Sequence, residues 1–231
     1  MTEGVQLALD FEHRSALTGD DFLVAQCNAA AVAWIDRWPD WPAPGLAIHG
    51  PEGCGKSHLV QVFLARSRGR ILTVSDLLRR DVFVAARNFP AFVFEDADSA
   101  IESVHEEALF HLYNDLAETG RHILFTAKQP PSRWTIRLPD LRSRLNAMPV
   151  AVIGTPDEAL ISAVLVKLFA DRQLKVSPEV VSYMLPRMER SFSAARELVA
   201  AVDARALAER RDIAIPLVRD VVEAFPTKPD R

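Results

Sequence analysis

Residues 50 to 57, Gly-Pro-Glu-Gly-Cys-Gly-Lys-Ser, set glycines, a lysine and a hydroxyl at the spacing G-x-x-x-x-G-K-[ST]. That spacing serves phosphate binding. Gly50, Gly53 and Gly55 allow backbone N–H groups to turn inward around phosphate oxygens, Lys56 reaches the outer phosphates, and Ser57 offers a hydroxyl to Mg2+. The run with its neighbours Pro51, Glu52, Cys54 and His58 is therefore the candidate binding loop for ADP or ATP. Cys54 fits as a small side chain inside the loop and is given no catalytic role. A magnesium-binding acid is expected at the end of a second buried strand, and "FVFEDAD" supplies Glu95 and Asp96 after four apolar residues. Ser57, Glu95 and Asp96 form the candidate metal shell, completed through the nucleotide.

The surrounding text has to position these groups. An apolar run, "LAIHG", enters the loop, and "KSHLVQVFLARS" leaves it with helical periodicity, giving strand, loop and helix. Further apolar runs at 70–74, 91–95, 122–126 and 148–153 alternate with helical stretches, including an amphipathic one in "HEEALFHLYNDLAE". Buried short strands alternating with helices predict an α/β core with a mainly parallel sheet. "NAAAVAWIDRW" suits a helix N-capped by Asn28 and stopped by the proline-rich "PDWPAPG". Past Gly154 the text reads as about four helices. The expected organisation is a tail over 1–19, a nucleotide-binding core over 20–154 and a helical domain over 155–231.

Composition narrows the function classes. The chain has 231 residues, 49% hydrophobic and 25% charged, enough for a substantial core. A net charge of −4 gives no global positive field toward nucleic acid or anionic membrane. Two cysteines, Cys27 and Cys54, make neither a disulfide framework nor a zinc site, and six histidines lack metal-ligand spacing. Without a signal-peptide pattern or a run long enough to span a bilayer, a cytoplasmic protein with no membrane partner is expected. The four tryptophans read as packing residues around turns.

The loop, "FVFED", "HILFT", "LPDLRSRL" at 138–145 and "SAARELVAAV" at 193–202 occur in the same order as in the AAA+ module of the bacterial initiator family DnaA. The resemblance covers roughly residues 20–225 and is strongest to the short DnaA relatives of the Hda type. It implies a P-loop AAA+ core followed by a helical lid. It also implies an arginine finger at Arg144, acting in the nucleotide site of a neighbouring subunit, and a sensor arginine at Arg196 in the lid. Phe22, Leu23 and Val24 correspond to the stretch that flanks the adenine ring. Three departures stand out: Glu95 precedes Asp96 where the initiators place Asp first, Lys128 stands at an acidic sensor position, and Asp140 replaces an arginine. They point to nucleotide binding with weak or absent intrinsic hydrolysis.

The family's DNA-reading helix-turn-helix has no counterpart before Arg231, so sequence-specific DNA binding is not expected. "QLALDF" is similar to the Q-L-x-L-x-F peptides that dock on the DNA polymerase III sliding clamp, its beta subunit. Leu9 and Phe11 would fill the apolar pocket, Leu7 would pack beside it, and the Gln6 amide would satisfy the polar subsite. The resemblance thus implies a clamp-tethered negative regulator that stimulates hydrolysis of DnaA-bound ATP, and it allows a homodimer. A DnaA-like helicase loader or remodelling ATPase is the alternative, and a nucleotide-gated adaptor a third.

Overall fold

The computed structural model describes residues 13–14, 22–77, 88–103 and 106–224. They fall into two compact units, one built mainly from residues 26–154 and the other mainly from 155–224.

The first unit is organised by five parallel strands: β1 (Gly45–His49), β2 (Arg70–Ile71), β3 (Ala91–Phe94), β4 (His122–Ala127) and β5 (Val150–Val152). Their spatial order is β2-β3-β4-β1-β5, so β1 lies between β4 and β5 although it comes first in the chain. The crossovers from β1 and from β4 run in opposite directions across the sheet. That reversal opens a crevice at the carboxyl end of β1, the usual place for a ligand in such sheets. The register sets His49 opposite Ala127 of β4 and opposite Val152 of β5.

Sequence pattern explains each strand's place. The central strands β3 and β4 are buried along their whole length, as parallel strands covered on both faces must be. β5 alternates, with Ala151 buried between the exposed Val150 and Val152. Helix α1 (Ala29–Arg37) packs near β5, and α2 (Lys56–Ser67) follows the loop. The next helices of the core unit are α3 (Val74–Leu77), α4 (Ala97–Ala100), α5 (Glu106–Glu118) and α6 (Pro139–Ala147). α5 buries Leu109, Leu112, Tyr113 and Leu116, one stripe at helical spacing, against Phe92, Phe94 and Phe125 of the sheet. Each such apolar side chain stabilises the fold by about 1.5–3 kcal/mol relative to exposure.

Three tryptophans pack beside turns as expected: Trp41 stacks on Phe63 with ring centroids 5.4 Å apart, Trp38 meets the same ring edge-on, and Trp134 meets Phe125 at 5.9 Å. Two local expectations need correction. The run at 70–74 is strand only at Arg70–Ile71, because Thr73 and Asp76 cap each other reciprocally: Thr73 N donates to Asp76 Oδ2 at 2.9 Å, and Asp76 N donates to Thr73 Oγ1 at 3.3 Å. This box starts α3 at Val74. Asn28 does precede α1, but its side chain makes no capping bond.

The second unit is helical: α7 (Glu158–Asp171), α8 (Pro178–Met184), α9 (Phe192–Glu209) and α10 (Ile215–Ala224). Asp157 Oδ1 accepts from Leu160 N at 2.8 Å and Ser191 Oγ from Ala194 N at 3.1 Å, so α7 and α9 start on working caps. The unit has its own core, with Phe169, Leu165, Val199, Val202, Leu217 and Val218 among its buried members.

Candidate nucleotide site

β1 delivers the chain to the loop, and Gly50 is where it leaves the sheet. Its N–H donates to Ala127 O at 3.1 Å, and a Cβ there would stand 2.2 Å from Ile153 O and 3.0 Å from Cys54 Sγ. No side chain fits. Gly53 and Gly55 take left-handed backbone angles, φ +72° and +102°, which cost little only for glycine. Gly55 immediately precedes α2, whose 12 residues put a positive helix end at the same place.

Lys56 is buried, and its Nζ donates to Gly50 O at 2.7 Å and Pro51 O at 2.8 Å. The ammonium has three donors, so one is left beside the weakly accepting Cys54 thiol at 3.9 Å and is available to an anion. Burial raises the Cys54 pKa despite the nearby lysine, which keeps the thiol neutral and suits a packing role. His49, at the end of β1, has its pKa lowered by burial first and then by Lys56 and Arg133. An uncharged imidazole therefore stands where another cation would repel Lys56.

The acids expected after the second buried strand reach the loop. β3 ends at Phe94, and the Glu95 carboxyl that follows lies near enough to the Ser57 hydroxyl for that hydroxyl to favour its charged form. Burial pushes the Glu95 pKa up, the nearby Ser57 hydroxyl opposes this, and neighbouring Asp96 raises it further. A divalent cation would relieve both penalties. Asp96 is exposed, with φ +49°; its N–H donates to Thr126 Oγ1 at 3.3 Å, and its carbonyl accepts from the Ser99 and Ala100 N–H groups at the start of α4. The structure thus sets Glu95 near Ser57, with Asp96 the next residue along the chain. A hydroxyl and two carboxylates are hard oxygen donors suited to Mg2+. No group of three or more His, Cys, Asp or Glu able to hold a metal unaided occurs among the described residues.

Sequence reasoning missed Asp98 and the contact that Lys128 makes. Asp98 Oδ2 accepts from the N–H groups of Lys128 and Gln129, at 2.9 and 3.0 Å, and so shapes the turn after β4. From that turn Lys128 Nζ reaches Glu52 Oε2 of the loop at 3.0 Å. Neither contact has a local signal, since the partners are 30 or more residues apart.

Arg144 lies in the last turn of α6, exposed, with its guanidinium 5.4 Å from the centre of the Phe110 ring on α5. Arg142, two residues earlier, is committed instead to Ile136 O. The start of α6 is anchored by Glu106, whose carboxylate accepts from the N–H groups of Arg137 and Leu138. Arg196 is exposed on α9 in the helical unit. Leu23 is buried and Val24 half-buried; Phe22 and Leu23 form a two-residue strand outside the main sheet. Gln6, Leu7, Leu9 and Phe11 lie outside the described residues.

Residues 157–222 match the family model described as Hda, lid domain. An uncharacterized protein of Haemophilus influenzae is 26% identical over 193 residues, covering 79% of this chain and 83% of that protein. The chromosomal replication initiator protein DnaA of Leifsonia xyli is 24% identical over 244 residues, covering 96% of this chain and 51% of the initiator. The chain thus spans about half the length of that initiator. Domain III of the Thermotoga maritima DnaA, a crystal structure, superposes with a TM-score of 0.73 at 17% identity, covering 90% of this chain and 95% of that one. The fold is shared with DnaA domain III over most of the chain, and the helical unit matches the Hda lid. The chain is thus similar to the DnaA initiators over most of its length, shares the fold of DnaA domain III and carries a lid of the Hda type.

Proposed function

We propose that this chain is a negative regulator of replication initiation that acts as an activator of the DnaA ATPase. It holds ADP or ATP with Mg2+ in its own loop, tethers to the sliding clamp through Gln6, Leu7, Leu9 and Phe11, and presents Arg144 to ATP-bound DnaA. The guanidinium then stabilises the charge that builds on the partner's γ-phosphate during hydrolysis.

The observation that carries this reading is the setting of Arg144. It is an exposed cation at the end of a short helix, steadied by an aromatic ring, while its neighbour Arg142 is tied to the backbone. A residue meant for a partner's site has to be both pre-positioned and free in this way. In the chain's own site Lys56 and the loop N–H groups would hold the phosphates, and Ser57 with Glu95 and Asp96 would hold the metal, which supplies charge neutralisation there. Arg196 would reach the nucleotide from the lid, and Phe22 to Val24 would flank the base. Intrinsic turnover is weak or absent in this reading. Glu95 standing first where the initiators place Asp, and Lys128 at an acidic sensor position, support this.

The test is hydrolysis of ATP by DnaA in the presence of clamp-loaded DNA. The intact chain is expected to stimulate it, while Arg144→Ala and removal of residues 1–11 each abolish the stimulation, since an arginine finger is worth about 10³-fold or more. Undiminished stimulation by Arg144→Ala would sink the assignment. Robust hydrolysis by this chain alone, with no effect on DnaA, would favour the helicase loader or remodelling ATPase.

A further inference from the structure

Two neighbours compete for the Arg144 guanidinium. One is Asp140, four residues earlier on α6, an acid on the N-terminal side of a base at the spacing where helical ion pairs form. Both side chains are exposed, yet among the described residues no ion pair joins them. The other is Phe110 on α5, and the structure sets the guanidinium there, 5.4 Å from the ring centre. Phe110 is half-buried and packs against the core of its unit, which makes the ring a fixed platform. One turn further along α5, Tyr113 is buried against Gly45 at the start of β1, where an added Cβ would stand 3.0 Å from the phenol ring. Burial raises the Tyr113 pKa, and the Gly45 backbone and the Arg144 charge oppose this, so the cation lies within electrostatic reach of a second ring.

An exposed cation–π contact shifts an equilibrium about two- to fivefold, and a helical i,i+4 ion pair about twofold or less. The ring therefore wins, by a small margin. The two holds differ in what they leave free. A guanidinium over a π face keeps its five N–H donors for other acceptors, whereas a carboxylate takes two of them and offsets the charge. Arg142 on the same helix shows the cost of a polar hold: its donors are spent on Ile136 O.

We propose that Phe110 is a positioning residue for Arg144, its ring holding the guanidinium away from Asp140 so that the donors stay available to the terminal phosphate in a partner's site. The inference rests on the reading of Arg144 given above. Asp140 is then an internal competitor: removing the ring sends the arginine to the acid, and removing the acid as well frees it again.

The test is the rate of ATP hydrolysis by DnaA with clamp-loaded DNA, measured against concentration of the full chain. It compares the wild type, Phe110→Leu, Phe110→Tyr, Asp140→Asn and the double variant Phe110→Leu with Asp140→Asn. Phe110→Leu is expected to lower the maximal rate about threefold and to change the half-saturating concentration less than about 1.5-fold, because docking persists while fewer docked molecules hold the arginine extended. Phe110→Tyr keeps the π face and is expected to stay within about 1.5-fold of the wild type. Asp140→Asn alone is expected to change the rate less than about 1.5-fold, and in the double variant to restore at least about half of the loss. A ring that served only packing would gain nothing from the loss of Asp140. An undiminished rate in Phe110→Leu, an equal loss in Phe110→Tyr, or a double variant no faster than Phe110→Leu would overturn the proposal. Stimulation that survives Arg144→Ala would instead bring down the reading of Arg144, and this inference with it; where Arg144→Ala abolishes stimulation, the Phe110 and Asp140 variants decide the inference alone.

Discussion

At the scale of single residues, two glycines flank β5's pairing with the loop and differ in what they tolerate. A Cβ at Gly50 meets a backbone oxygen, Ile153 O, at 2.2 Å, whereas a Cβ at Gly154 meets nothing nearer than Cys27 Cβ at 3.6 Å. A backbone obstacle cannot rotate away as a side chain can. Gly50→Ala is therefore expected to cost about 1–3 kcal/mol by forcing the loop off the sheet, and Gly154→Ala less than about 0.5 kcal/mol. Thermal unfolding checks this: a drop of about 2–4 °C per kcal/mol is expected for a chain of this size, in the first variant only. Equal Tm values for the two variants would contradict the close approach. The same crowding makes Gly50 part of the site, since its carbonyl is one of the two that hold Lys56 across the loop.

At the scale of elements, the helices begin for identifiable reasons and those reasons can be removed. Asp157 and Ser191 each satisfy an N–H of the first turn of α7 and α9 that has no intrahelical partner. Asp157→Ala and Ser191→Ala are each expected to lower stability by about 1 kcal/mol, measured by denaturant midpoint at unchanged slope. A cost below a few tenths for either would mean that water caps the helix as well. α6 is built differently. Its first turn carries Pro139, which needs no N–H partner there, and the preceding N–H groups of Arg137 and Leu138 are taken by Glu106 of α5. That long-range anchor sets where α6 begins and hence where Arg144, in its last turn, emerges.

At the scale of the whole molecule, each unit closes a core of its own. Within 155–224 the buried set runs from Ile161 to Val221 and includes a fully buried aromatic, Phe169. Residues 155–231 expressed alone are expected to be helical by circular dichroism and to melt cooperatively. A domain of this size has little stability to spare. Phe169→Ala, which removes about 3–5 kcal/mol, is then expected to leave the fragment without a cooperative transition. A non-cooperative wild-type fragment would show that the lid depends on the rest of the chain. No described helix is long and apolar enough to cross a membrane.

The phosphate loop and the order of strands and helices were legible in the one-dimensional text, because the loop is a contiguous motif and hydrophobic periodicity is a local property. The acids Glu95 and Asp96 could be named for the same reason, by their place at the end of an apolar run. The capping box at Thr73–Asp76 was also locally encoded, and the neighbouring β-branched residues obscured it in a reading based on apolar runs. What only the tertiary structure decided is which distant residues meet. The nearness of Ser57 to Glu95, the hold of Asp98 on the turn after β4, the reach of Lys128 to Glu52 and the ring of Phe110 beneath Arg144 all join residues on different elements. They depend on strand order and register, which long-range packing sets and no local window of sequence contains.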